Sequence, residues 1–133
     1  MRHAITGARV ILGLIFVIFG LNGFFHFIPV PEHNEAMGDF MGALMATGYM
    51  MPIVKATEVL AGLMILTGRM LPLGLTILAP ISINILLVHL FLDQGGLPMA
   101  IVIVALQLFL AWTYRDSFKG MLATNAAPTS SAP

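Results

Sequence analysis

Residues 71–92 read Leu-Pro-Leu-Gly-Leu-Thr-Ile-Leu-Ala-Pro-Ile-Ser-Ile-Asn-Ile-Leu-Leu-Val-His-Leu-Phe-Leu, with no Asp, Glu, Lys or Arg. As a helix this stretch is ~30 Å long, the thickness of a bilayer's hydrocarbon core. A buried helix in a small soluble chain has no need of such length without charge, so the stretch predicts a membrane span. Yet it contains Pro80, Asn84 and His89, and polar groups in hydrocarbon need partners. An inner span is expected, with the rest of the chain packed around those positions.

The remaining sequence agrees. Of 133 residues, 59% are hydrophobic and 9% charged, too few charges to cover a soluble surface. One domain is expected. With a formal net charge of zero, nothing suggests nucleic acid or an acidic ligand as partner. The chain has no Cys, which excludes thiolate catalysis, disulfide exchange and Cys-ligated metals within it.

The expected fold is all-α: a four-helix transmembrane bundle with a short amphipathic interfacial helix between the first and second spans. The spans are placed at about 8–28, 52–67, 71–92 and 97–114, the interfacial helix at about 34–48, and a disordered cytoplasmic tail at 121–133. The first apolar run is too long for a signal peptide and lacks a small-x-small cleavage site before the polar loop, so a retained span is expected. Pro29-Val-Pro31 closes it. Met37, Met41, Leu44 and Met45 recur at helical spacing in a segment too short to span, which places it along the membrane surface. The methionines of that stripe are packing residues. Pro52 suits a first helical turn, and Asp93-Gln-Gly-Gly96 with Pro98 marks a turn into the last span. Trp112 and Tyr114 suit a membrane interface. The end of the chain, rich in Ala, Pro, Ser and Thr, reads as disordered.

Four spans put Arg2, Arg9, Arg69, Arg115 and Lys119 on one side, and Glu32, Glu35, Asp39 and Asp93 on the other. By the positive-inside rule both termini are cytoplasmic. Six polar side chains then share the outer half of the membrane: Asn22 and His26 on span one, Lys55 and Glu58 on span two, Asn84 and His89 on span three. Glu58 and His89 are the candidate catalytic residues, as proton-handling acid and imidazole. Asn22, His26, Lys55 and Asn84 are candidate ligand-binding residues. For Glu58 the alternative is a structural ion pair with Lys55 or a hydrogen bond to Asn84, and Lys55 can snorkel to the headgroups. Neither His26 nor His89 has a second ligand at i+3 or i+4, so no metal site is expected and haem is disfavoured.

Three stretches carry a family resemblance: Leu14-Ile-Phe-Val-Ile-Phe-Gly20-Leu-Asn22-Gly-Phe-Phe-His26-Phe27, Gly48-Tyr-Met-Met-Pro52 through Lys55, Glu58 and Gly62 to Gly68-Arg69, and Leu78-Ala-Pro80-Ile-Ser-Ile-Asn84 through to His89. Over about residues 8–115 the chain resembles the DoxX and DoxX-like family of small bacterial membrane proteins. The resemblance implies a four-helix bundle in the bacterial inner membrane linked to redox physiology. Some relatives serve as a quinone-reducing membrane subunit or associate with oxidative-stress enzymes. It also implies Glu58, Asn84 and His89 as site positions. Relatives often carry Lys where this chain has Asn22. The function expected first is therefore a redox-associated protein with a quinone-type or small-ligand pocket in the outer half. Quinone is the possible cofactor, and the partners are the bilayer with another membrane or redox protein, or a second copy. The alternative is a non-enzymatic accessory or assembly subunit of a larger membrane complex.

Overall fold

The computed structural model describes residues 1–29 and 33–129. Pro31 and Glu32, two residues of the predicted first turn and acidic side, lie outside these. Five α-helices follow in order: α1 (Arg2–Phe25), α2 (Glu35–Ala46), α3 (Met50–Thr67), α4 (Leu71–Phe91) and α5 (Leu97–Thr113). No strand occurs among the described residues. Four segments, α1, α3, α4 and α5 with the 3₁₀ turn Gln94–Gly96 before it, are long and apolar enough to cross a membrane. At 12 residues α2 is too short. The all-helical, four-span architecture read from the sequence is the one observed.

The helices close into a ring in which α1 packs on α3, α3 on α4, α4 on α5, and α5 back on α1, while α2 touches the outside of α3. Leu12, Ile65, Leu71, Leu78 and Leu110 are fully enclosed at the centre. Large apolar side chains also cover the outside, among them Ile11, Phe19, Leu60, Ile101 and Leu108. Water would not tolerate that surface; lipid tails would.

Since lipid is as apolar as Leu, close packing rather than hydrophobic exclusion must hold the helices together. The α1–α3 pair is the most extensive contact in the bundle, and Gly13 makes it possible. A Cβ there would sit 2.9 Å from the Leu66 backbone N and Cα. At the same end Arg9 crosses to α3: its Nε donates to the Ile65 carbonyl at 3.3 Å and a terminal nitrogen to the Leu66 carbonyl at 3.2 Å. These are last-turn carbonyls, that of Ile65 also accepting from the Gly68 N–H at 3.3 Å, and a cation there meets the negative end of the helix dipole. α3 then stops at Gly68, which is left-handed at φ 78°.

The first span differs from expectation at both ends. α1 starts at Arg2 rather than near residue 8, and it stops at Phe25 because His26 turns left-handed, φ 54°. Each of the other three spans lies within two residues of its expected bounds.

At the end opposite Arg9, Asn34 caps α2 by accepting from the Met37 N–H at 2.9 Å. Its Nδ2 donates to the Leu92 carbonyl at 2.6 Å. Beside it His33 Nδ1 lies 3.2 Å from Asp93 Oδ2. The segment entering α2 is thus strapped to the α4–α5 turn.

Candidate functional site

Lys55 and Glu58 occupy the first two turns of α3 at i and i+3, where side chains share a face. Lys55 Nζ lies 3.2 Å from Glu58 Oε2, with Glu58 almost fully enclosed and Lys55 less so. The stem of Lys55 runs across α1 at Gly23, where a Cβ would collide with its Cγ and Cδ. A glycine at that point leaves the lysine room to reach its acid. The pair itself lies within α3, and only the apolar stem of Lys55 packs against α1.

Asn22, next to that glycine, is also buried. Its amide grips the chain beyond α1 with both ends: Oδ1 accepts from the Ile28 N–H at 2.7 Å, and Nδ2 donates to the Ile28 carbonyl at 3.2 Å. These bonds fold the chain back after the left-handed turn at His26. The imidazole of His26 is exposed.

His89 ends α4. Its Nδ1 lies 3.0 Å from the Asp93 carbonyl oxygen. A carbonyl only accepts, so Nδ1 carries the hydrogen of this bond. The ring lies against Gly96, leaving no room there for a Cβ. Asn84 sits on the outward face of α4, exposed, with no hydrogen-bond partner among the described residues.

The six residues thus fall into separate places. Lys55 and Glu58 meet, Asn22 on α1 binds the chain beyond its own helix, His89 belongs to the α4–α5 turn, and His26 and Asn84 face outward. Glu58 bonds to Lys55 rather than Asn84. No group of three or more His, Asp and Glu comes together among the described residues.

A different polar contact lies between α4 and α5. Ser82 Oγ donates to Gln107 Oε1, and Gln107 Nε2 donates to the Leu75 carbonyl at 2.9 Å. Both side chains are buried, and they form the floor of an apolar groove of 280 Å³ walled by Ala79, Ile83, Val104, Leu108 and Ala111. A second cleft lies along α3, between Leu60 and Met70. None of the six sequence-selected residues lines either. Gln107 was visible in the sequence as an amide at middle depth in the last span, and such a group demands a partner. Ser82 gave no comparable signal, because serine is common in spans and its role depends on helix rotation. His33, the partner of Asp93, lies in a polar loop that carries no periodicity.

The chain matches no family model, no curated protein and no solved structure.

Proposed function

We propose that this chain is a DoxX-like protein of the bacterial inner membrane, with both termini cytoplasmic, acting as a non-enzymatic accessory subunit of a larger membrane assembly. The sidedness rests on charge: Arg9 and Arg69 lie at the end where α3 meets α4, together with Arg2, Arg115 and Lys119 by chain order. One observation carries the role. Apart from Asn84, the polar side chains at depth are already engaged within this chain: Lys55 with Glu58 on α3, Asn22 with Ile28, His89 with the Asp93 carbonyl, and, between two spans, Ser82 of α4 with Gln107 of α5. A catalytic constellation would direct several of them into one cavity. The test is purification from native membranes in mild detergent. A second membrane protein in fixed ratio is the expected result; a chain that emerges with no such companion refutes the role.

A quinone-type ligand is the second reading, favoured by the α4–α5 groove. Its apolar walls suit an isoprenoid tail, and the amide of Gln107 at its floor retains one N–H beyond that given to Leu75. In this reading a partner supplies or takes the quinone's electrons. Thermal stabilisation by a quinone that is lost in Gln107→Leu supports this reading. Equal stabilisation of both proteins defeats it.

A further inference from the structure

Asn84 stands seven residues before the end of α4, which puts it ~10 Å inside the span. It faces outward, and its side chain is too short to snorkel as a lysine does. An amide so placed in hydrocarbon lacks both water and a partner from its own bundle, a cost that association removes. Its surroundings are ordered for contact. Leu73, Pro80, Asn84, Leu87 and Phe91 recur at intervals of seven, four, three and four residues along α4, and all five are exposed. That is the 3.5-residue repeat of a helix seam, with one polar position in it.

From this we infer that the outward face of α4 is a homodimer interface, with Asn84 paired to Asn84 of a second copy across a twofold axis normal to the membrane. A carboxamide both donates and accepts, so it complements itself. Two copies inserted the same way bring identical residues to the same depth with their α4 helices parallel, the geometry in which a lone seam Asn sets register and partner number. A foreign partner would have to present its own polar group at that depth. The inference depends on the chain crossing the membrane but not on the accessory role.

The chain has no Cys, so single cysteines report without background. Leu87→Cys and Leu73→Cys on the α4 seam, and Leu60→Cys on α3 and Ile101→Cys on α5, are oxidised in washed native membranes. Recovery in the membrane fraction checks insertion separately. The expected result is a disulfide-linked dimer of this chain from the two α4 variants only. Adding Asn84→Leu to Leu87→Cys lowers its yield about tenfold, the scale of an interhelical amide bond in lipid, and Asn84→Gln restores it. Crosslinking at all four sites alike, linkage to a different protein, or a yield indifferent to Asn84→Leu overturns the inference.

Discussion

Lys55 and Glu58 form the only ion pair placed inside a span among the described residues. Charges in lipid are tolerated when paired, and removing one member strands the other. Glu58→Gln and Lys55→Met should therefore each lower stability by about 2 kcal/mol, less than for a wholly enclosed pair because Lys55 is partly open. Lys55→Met with Glu58→Gln should cost clearly less than the two losses added. Unfolding in mixed micelles measures this cycle, and additive losses would show that the two side chains act separately. This pair was legible in the sequence because i, i+3 spacing alone brings the side chains together. The wider site was not. Asn84 and His89 lie on α4 and were expected at the depth of Glu58, but rotation about the axis decides what each one meets. Depth follows from residue number; rotation follows from packing. His26 shows a second limit, since a residue that ends a helix leaves the face its spacing predicted.

The spans themselves were legible because lipid imposes length and apolarity together, and Pro and Gly punctuate the links. The early start of α1 has a simple cause. Hydropathy marks the part of a helix that lipid surrounds, and neither Arg2 nor His3 ends a helix, so α1 continues beyond its apolar run. What hydropathy could not give is which helices approach closely, because that depends on small residues on facing sides. Gly7 and Gly13 of α1 make the contrast measurable. Nothing lies within 4 Å of a Cβ added at Gly7, whereas one at Gly13 meets the Leu66 backbone. Gly7→Ala should leave stability unchanged or raise it by up to about 1 kcal/mol through helix propensity. Gly13→Ala should lower it by about 1–3 kcal/mol, since two backbones must part. Equal effects in the same micelle unfolding assay would mean that the α1–α3 contact does not hold the bundle.

Across the whole molecule, the two ends are fastened by different chemistry. At one, Arg9 binds α3 carbonyls that do not titrate. At the other, His33 and Asn34 hold the entry to α2 against the α4–α5 turn through Asp93 and Leu92. Only the second fastening includes a carboxylate. The hydrogen bond from His33, then that from the Gly95 N–H, holds the Asp93 carboxyl below its ordinary value of 3.8. A carboxyl with a lower pKa in the folded state stabilises the fold above its unfolded pKa, and this contribution disappears as pH falls through the folded value. The strap should therefore be intact at neutral pH and weaken only below pH 3.8. Glu35 and Asp39 belong to the same end, so acid alone would not isolate Asp93. Asp93→Asn does, because its amide oxygen still accepts from Gly95 while the charge facing His33 is gone. At neutral pH the unaltered protein should melt at a higher temperature than Asp93→Asn, and the gap should close on acidification below 3.8. A constant gap across that range would mean that the charge on Asp93 does not fasten this end. The bundle would then rest on helix packing and the uncharged Asn34–Leu92 bond.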